Sequence, residues 1–364
     1  MSMDDTGLGT AGRNWDDMNG SLSRRDFIKL SGLGLSSLAF SQYFPYRDDQ
    51  SFPDHIVRVA YPAASVYREP KMDAAYVRDH YRDELVTVYY ELNPPEGPAY
   101  NPLWYRVWGG YMHSAYLQPV EIRFNNPLDS VREGGHLAEV TVPFTQAYRY
   151  SRTYGWQRVN RLYYSTTHWI TGIDEGPDGK PWYRLTDELQ PVDYHAPAIH
   201  LRPIADEEFS PISPNVPFEE KRIEISLIQQ TLKAYEKNRV VLNTTVSTGI
   251  PNTRPTQNGI PTTTPTGRFN IFSKMPSKHM GNARLTDNLD DYVLLGVPWT
   301  SFFVETGVAL HGTYWHNNFG WPMSRGCVNL RTDDAKWLFR WTVPVSKPTD
   351  WERTGYGTQV FVFN

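Results

Sequence analysis

Apolar and polar residues alternate along most of the chain in short runs, the pattern expected of β-strands with one buried face. Residues 222–227, 231–235 and 240–247 alternate in this way, and residues 264–271 turn into a further run through a Thr-Pro-Thr-Gly sequence. With 28 Pro and 26 Gly among 364 residues, turns are frequent, and long apolar helical stretches are scarce. The pattern therefore predicts a mainly β protein.

Two segments of the chain, residues 56–121 and 139–204, contain the same landmarks in the same order. Each has a Tyr-Arg pair, later a Trp-Tyr-Arg sequence followed by an aliphatic residue, and finally a Leu-x-Pro sequence. Shared landmarks at nearly constant spacing indicate a duplicated unit. The Trp-Tyr-Arg and Leu-x-Pro strands resemble those of bacterial SH3-like domains. We therefore predict two small SH3-like barrels, at residues 53–122 and 137–204.

The rest of the chain follows an acidic, Pro-rich segment. Residues 205–220 have the composition of a linker between domains. The remainder, residues 221–364, then forms a separate domain, with a short helix starting at Asp333. Because few contacts cross an ordinary linker, we expect this domain to fold after deletion of residues 53–204.

The amino-terminal residues have the features of an export signal. Arg24 and Arg25 precede a weakly apolar run, residues 30–40. Paired arginines before a short apolar stretch match a bacterial twin-arginine signal. The run is shorter than the roughly 20 residues that a membrane-spanning helix needs. We predict that residues 1–52 are a twin-arginine signal and linker and provide the only membrane contact; cleavage and retention as an anchor both stay open.

Charge and cysteine content narrow the possible functions. The 36 Lys and Arg against 40 Asp and Glu give a formal net charge of −4, without the basic patch typical of nucleic-acid binding. We therefore predict no nucleic-acid partner. Cys327 is the sole cysteine, which rules out an intrachain disulfide and a Cys-rich zinc site. In an exported protein a lone thiol is either a buried small side chain or a reactive group.

The sequence around this cysteine favours a reactive group. An apolar strand ends at His311, so its imidazole projects from a rigid element, and a loop containing Gly and Pro leads back to Cys327. Gly326 lets backbone N–H groups approach a substrate closely, as an oxyanion site requires. Arg325 adds positive charge beside the sulfur. We therefore expect His311 within hydrogen-bond reach of Cys327, and a thiol pKa below its usual value.

Four neighbouring residues are further candidates for the site. Ser324 joins Arg325 and Gly326 as an oxyanion or orienting residue. Trp315, His316 and Asn329 are candidate substrate-binding residues, with loop packing or a structural role as the alternative. His311, His316 and Cys327 lack a fourth ligand at metal-binding spacing, so we predict no metal site.

Three motifs follow one another near the carboxyl terminus: Thr-Pro-Thr-Gly-x-Phe at 264–269, Leu-His-Gly-Thr at 310–313 and Ser-x-Gly-Cys-Val-Asn-Leu at 324–330. In this order they resemble the L,D-transpeptidase (YkuD-type) catalytic domain over about residues 221–364. The resemblance implies a β-sandwich in which Cys327 is the nucleophile and His311 its base. The commonest family motif has His at the position of Arg325, which puts a proton-transfer role for that position in doubt.

The resemblance also implies a substrate. Cys327 would attack the carbonyl of the third residue of a peptidoglycan stem tetrapeptide, D-Ala would leave, and an amine of a neighbouring stem would resolve the thioester. Stem peptides are then the expected partners of a monomeric enzyme of the cell envelope. A cysteine L,D-carboxypeptidase or peptidase and a non-catalytic wall-binding protein are the alternatives. The SH3-like units could be spacers, bind the wall or shape the catalytic cleft.

Changing Arg24 and Arg25 together to Lys should leave the protein inside the cell, because the twin-arginine route requires both guanidinium groups. The measurement is the distribution of the protein between cytoplasm and envelope fractions. Normal export of the double variant would contradict the twin-arginine assignment.

Overall fold

The computed structural model describes residues 55–189, 192–252 and 261–364. Within these residues it contains 25 β-strands, one α-helix and several short 3₁₀ turns, and the strands form five sheets. The prediction of a mainly β protein is confirmed. None of the helices in this described part is long and apolar enough to span a membrane. The export signal predicted in residues 1–52 lies outside the described residues.

The first β unit, residues 56–120, consists of two sheets around a small apolar core. Its strands are β1 (Ile56–Val59), β2 (Ala63–Tyr67), β3 (Tyr76–Tyr81), β4 (Leu85–Thr87), β5 (Tyr90–Leu92), β6 (Trp104–Val107), β7 (Gly110–His113) and β8 (Leu117–Val120). One sheet has the order β4-β1-β8 and the other β3-β2-β7-β6-β5. The core between them contains Val57, Val66, Tyr105, Met112 and Leu117.

The second β unit, residues 136–203, consists of a single seven-stranded sheet. Its strands are β9 (His136–Val140), β10 (Phe144–Ser151), β11 (Gly155–Tyr163), β12 (Thr167–Glu175), β13 (Pro181–Thr186), β14 (Asp193–Pro197) and β15 (Leu201–Pro203). Their order is β11-β10-β14-β13-β12-β9-β15. The alternating residues Leu162, Tyr183, Leu185 and Leu201 point into its core. That both units are SH3-like stays a prediction.

The carboxyl-terminal region, residues 221–363, packs two five-stranded sheets face to face. Its strands are β16 (Lys221–Ser226), β17 (Thr231–Glu236), β18 (Arg239–Thr245), β19 (Gly267–Asn270), β20 (Ser273–Gly281), β21 (Val293–Val304), β22 (Val308–Gly312), β23 (Val328–Leu330), β24 (Arg353–Thr354) and β25 (Gln359–Phe363). The sheet orders are β18-β17-β16-β25-β19 and β23-β22-β21-β20-β24. Apolar residues of both sheets share one core, as in a β-sandwich.

The helix α1 (Thr332–Trp341) closes one side of this core. Ala335, Leu338 and Phe339 recur at helical spacing and are buried. The carbonyls at its carboxyl end need donors, and the buried Lys274 supplies them. Its Nζ donates to the carbonyls of Phe339, Thr342 and Pro344 over 2.5, 3.0 and 2.8 Å. The Lys274 side chain thus links β20 to the carboxyl end of the helix.

The second β unit and the carboxyl-terminal region share this core. Trp169 of β12 is fully buried among the residues of both carboxyl-terminal sheets. Its ring stacks on that of Trp351, with centroids 4.9 Å apart. Thr167 Oγ1 donates to the Pro276 carbonyl over 2.7 Å, and Ser277 Oγ donates to the Thr167 carbonyl over 2.5 Å. The two parts are therefore packed against each other rather than merely joined.

Residues 205–220 also pack instead of spanning open solvent. Phe209 is buried, with its ring 5.6 Å from that of Trp299 in β21. The expectation of few contacts across this segment is therefore wrong. Deletion of residues 53–204 would remove Trp169 and expose the shared core, so the remaining region should not fold well by itself.

A buried ion pair links all three parts of the structure. Arg58 of β1 donates to Asp83 Oδ1 over 2.7 Å and to the Tyr314 carbonyl over 2.9 Å. Gln118 Oε1 accepts two more N–H groups of Arg58, at 2.8 and 3.1 Å. The second oxygen of the Asp83 carboxylate accepts from Arg161 of β11. One carboxylate thus contacts two guanidinium groups, and the side chains of Arg58 and Asp83 are only 2% and 4% exposed.

Asp83→Asn should lower the free energy of unfolding by about 3–5 kcal/mol, because it leaves the buried Arg58 without its counter-charge. Asn tolerates the left-handed backbone of this position (φ 68°), so the change acts through charge. The measurement is urea denaturation. Asp290→Asn is the matched control: Asp290 pairs with Arg82 but its side chain is 86% exposed, so at most about 1 kcal/mol should be lost. Equal losses in the two variants would contradict the role of the buried pair.

Candidate functional site

Parallel pairing of β22 and β23 sets His311 and Cys327 on neighbouring strands. Leu310 pairs with Val328 and His311 with Asn329. His311 is the penultimate residue of β22, and Cys327 immediately precedes β23. Continued by one residue, this register sets Cys327 beside Ala309, so the thiol and the imidazole lie on adjacent strands, two residues apart along them.

The thiol of Cys327 is partly buried. Its Sγ donates to the Gly307 carbonyl over 3.7 Å. Burial raises the pKa of this thiol to about 11, although the Ala309 N–H directed at the sulfur acts in the opposite direction. The expected lowering of the thiol pKa is therefore wrong. Desolvation dominates, and the Arg325 guanidinium lies over the ring of Tyr292, 4.6 Å from its centroid, rather than on the sulfur.

The imidazole of His311 is buried and neutral. Its Nδ1 donates to the Gly312 carbonyl over 3.0 Å. Burial lowers the pKa of His311 to about 4, against a smaller opposing effect of that carbonyl. With the proton on Nδ1, Nε2 is free to accept one. Both residues are described, yet no hydrogen bond joins His311 and Cys327, contrary to the expectation, because the thiol is directed at Gly307.

The turn that carries the thiol is fixed from both sides. Ser324 Oγ accepts from the Gly326 N–H over 3.1 Å and donates to the Cys327 carbonyl over 2.5 Å. Thr264 Oγ1 donates to the Gly326 carbonyl over 2.7 Å and accepts from the Gly249 N–H over 2.8 Å. Thr264 was not among the predicted site residues, although the Thr-Pro-Thr-Gly motif contains it.

These contacts decide which backbone N–H groups remain available at the thiol. The Gly326 N–H is occupied by Ser324. The N–H groups of Arg325 and Cys327 donate to none of the described residues. An oxyanion would therefore be held by Arg325 N–H and Cys327 N–H, and the direct oxyanion role predicted for Gly326 changes to one of shaping the turn.

His316 and Asn329 hold each other in the interior behind the thiol. His316 Nδ1 accepts from the Asn318 N–H over 3.1 Å, so Nε2 carries the ring proton. The Asn329 side-chain amide lies 2.9 Å from Nε2, and its oxygen is the end that can accept this proton. Burial lowers the pKa of His316 to about 3, which keeps the ring neutral. Asn329 is completely buried, so both residues face inward rather than towards solvent.

The remaining candidates lie nearer the surface. Trp315 is half-buried, with its ring 5.7 Å from that of His311. Arg325 is exposed, and its partner Tyr292 is 45% exposed. Tyr292 immediately precedes β21, so nothing in the sequence around Arg325 singled it out. In the parts of the chain that the structure describes, no group of three or more His, Cys, Asp or Glu side chains is arranged to hold a metal ion.

Residues 220–362 match the model of the YkuD family, the L,D-transpeptidase catalytic domain. This match covers His311, Cys327 and every strand of the carboxyl-terminal sandwich except the last residue of β25, Phe363. No curated protein matches the chain.

Several solved structures resemble part of the chain. An L,D-transpeptidase from Xylanimonas cellulosilytica is 25% identical over 39% of this chain and 60% of its own, with a TM-score of 0.28. L,D-transpeptidase 3 from Mycobacterium tuberculosis, in complex with a faropenem-derived adduct, is 20% identical over 40% and 60%, with a TM-score of 0.30. The catalytic domain of the E. faecium L,D-transpeptidase is 25% identical over 40% and 98%, with a TM-score of 0.29. The chain thus spans 60% of the length of the first two.

Iodoacetamide should alkylate Cys327 slowly at neutral pH, and the rate should rise towards pH 11. Only the thiolate reacts, and burial disfavours it by raising the thiol pKa to about 11. The measurement is the alkylation rate against pH, with free cysteine, of pKa about 8.5, as the reference. His311→Ala is the companion variant and should react more slowly at neutral pH if the imidazole takes the thiol proton. A rate that levels off below pH 9 would contradict the raised pKa.

Proposed function

We propose that the protein is a cysteine acyltransferase acting on peptidoglycan stem peptides, because residues 220–362 match the model of the YkuD family, the L,D-transpeptidase catalytic domain. Cys327 is the nucleophile and His311 the proton acceptor and donor. The observation that carries the proposal is their placement on two paired parallel strands, two residues apart along them, inside the matched domain.

The first half-reaction forms a thioester. Cys327 Sγ attacks the carbonyl carbon of the third residue of a stem tetrapeptide, at the L-centre of diaminopimelate. His311 Nε2 takes the thiol proton as the carbon–sulfur bond forms. The same proton then passes to the nitrogen of the departing D-Ala as the peptide bond breaks. The released product is D-Ala, and the stem tripeptide stays on the sulfur.

The second half-reaction returns the enzyme to its starting state. An amine of a neighbouring stem attacks the thioester carbonyl, and His311 Nε2 accepts a proton from that amine. The carbon–sulfur bond breaks, and the sulfur recovers its proton from His311. Two stems are then joined by a new amide bond, and no metal or organic cofactor takes part.

The protonation states of the resting pair support this sequence of proton transfers. A His311 pKa of about 4 keeps Nε2 unprotonated at neutral pH, as a base must be. A Cys327 pKa of about 11 keeps the proton on sulfur until attack. The pair therefore rests as neutral thiol and neutral imidazole, and the charge that develops on substrate oxygen is met by the N–H groups of Arg325 and Cys327.

The proposal extends to the rest of the chain. A substrate in the wall places the enzyme outside the cytoplasm, which agrees with the predicted twin-arginine signal in residues 1–52. The segments 53–122 and 137–204 are proposed as SH3-like domains, residues 205–220 as the connection and residues 221–364 as the catalytic domain. The enzyme would act as a monomer.

Purified protein incubated with a disaccharide tetrapeptide should give cross-linked dimer and free D-Ala, measured by mass spectrometry. Cys327→Ser should abolish both products, because a hydroxyl is a far weaker nucleophile at neutral pH. His311→Ala should lower the rate roughly 10²–10⁴-fold, the usual effect of losing a general base. Arg325→His is the matched variant of the same loop and should stay active, because it restores the commoner family residue.

The products separate this proposal from its rivals. Tripeptide without dimer would identify a carboxypeptidase that uses water as acceptor. Unchanged tetrapeptide from a folded wild-type protein would contradict an enzymatic function and favour a wall-binding protein.

A further inference from the structure

The first β unit holds the loop that connects His311 to Cys327. We call residues 313–326 the active-site loop; it forms no strand or helix. The Asn317 N–H donates to the Ala115 carbonyl over 2.8 Å. Asn101 Nδ2 donates to the Asn317 carbonyl over 3.1 Å and to Asn318 Oδ1 over 3.3 Å. The outer edge of the loop is therefore bonded to a part of the chain more than 200 residues earlier.

Asn101 is itself held in one orientation. It is 8% exposed, and its Oδ1 accepts from Ser114 Oγ over 3.2 Å. Its backbone carbonyl accepts from His113 Nε2 over 2.7 Å. Because the amide oxygen already has its donor, the amide nitrogen must point at the active-site loop. The side chain is thus a fixed donor rather than an adaptable surface group.

From Asn318 the hydrogen bonds continue inward to the catalytic strands. The Asn318 N–H donates to His316 Nδ1, and His316 Nε2 meets the amide of Asn329. Asn329 pairs with His311 in the sheet and lies two residues after Cys327. The Asn318 carbonyl accepts from Ser247 Oγ over 2.9 Å. Asn318 is therefore fixed between Asn101 on the outside and the interior residues behind the thiol.

We propose that Asn101 is a positioning residue of the reaction, so that the first β unit completes the active site of the carboxyl-terminal domain. This rests on the proposed function. Asn101 acts through the active-site loop. It fixes Asn318, whose N–H selects the ring tautomer of His316, and it fixes the part of the loop that carries Trp315. The Trp315 ring lies 5.7 Å from the ring of His311 and forms a wall beside the imidazole.

Loss of Asn101 should affect rate more than stability. The loop keeps the Ala115 and Ser247 contacts, so the fold has other supports. Small displacements of a positioned base are costly, since misplacement by about 1 Å can reduce the rate about 10²-fold. A purely structural role would have the opposite signature, with lower thermal stability and an unchanged rate in the molecules that remain folded.

The test compares Asn101→Ala with Asn125→Ala in the full chain. Asn125 is the matched control: its side chain also makes hydrogen bonds, to Thr141 Oγ1 at 2.7 Å and to the Ile199 carbonyl at 3.2 Å, and none to the active-site loop. The readouts are the rate of Cys327 alkylation by iodoacetamide at neutral pH, the melting temperature, and kcat and KM with disaccharide tetrapeptide.

We expect Asn101→Ala to alkylate at least about tenfold more slowly and to lose kcat, with Asn125→Ala within about twofold of wild type at a similar melting temperature. Asn318→Ala removes one of the two loop acceptors of Asn101 and leaves the Asn317 carbonyl; it serves if Asn101→Ala does not fold and should also be slowed, and the double variant should be no slower than Asn101→Ala. Wild-type rates in folded Asn101→Ala or Asn318→Ala, or equal slowing by Asn125→Ala, would overturn the proposal. Wild-type protein that alkylates but forms no tetrapeptide product would instead contradict the proposed function.

Discussion

The parallel pairing of β22 with β23 is the constraint from which the rest of the arrangement follows. Parallel neighbours cannot be joined by a tight hairpin and need a connection of about a dozen residues or more. Here that connection is the active-site loop, which contains no helix to satisfy its own backbone groups. Its N–H and carbonyl groups must therefore find partners elsewhere. They find them in Ala115 and Asn101 of the first β unit and in Ser247 of the sandwich.

Burial at the base of this loop sets the chemistry. The same protein atoms that fix His311 and Cys327 also remove water from them, and desolvation favours the neutral form of each. The pKa of the imidazole falls to about 4 and that of the thiol rises to about 11. In the proposed mechanism, attack on a carbonyl then requires proton transfer from sulfur to imidazole during the reaction. Donors near the developing oxyanion, rather than a preformed thiolate, therefore have to supply the stabilisation.

The local sequence was sufficient to predict the strands and the candidate pair of site residues. Alternation predicted the strands, and the residues around His311 and Cys327 identified the candidate pair. The thiol pKa was predicted in the wrong direction because Arg325 is a sequence neighbour, whereas desolvation arises from residues distant in sequence. Alternation also cannot reveal what covers an outward-facing side chain. Trp169 resembles an internal residue of a small barrel, yet it belongs to the core of the carboxyl-terminal sandwich.

The two β units make different contacts with the carboxyl-terminal region from similar positions in their sheets. In the first, Arg58 of β1 pairs in register with Gln118 of β8; in the second, Glu139 of β9 pairs with Arg202 of β15. The two pairs occupy similar positions in their sheets, but the arginine lies on the first strand of the first unit and on the last strand of the second.

Each pair nevertheless faces the carboxyl-terminal region. Arg58 reaches the Tyr314 carbonyl in the active-site loop over 2.9 Å. Arg202 donates to Glu208 over 2.6 Å, and the other Glu208 oxygen accepts from Lys336 of α1 over 2.5 Å. The first unit therefore supports the loop beside the thiol and the second supports the helix behind the sheet, so the two units hold the carboxyl-terminal region at different places. That arrangement explains why the first and second β units cannot be treated as interchangeable spacers.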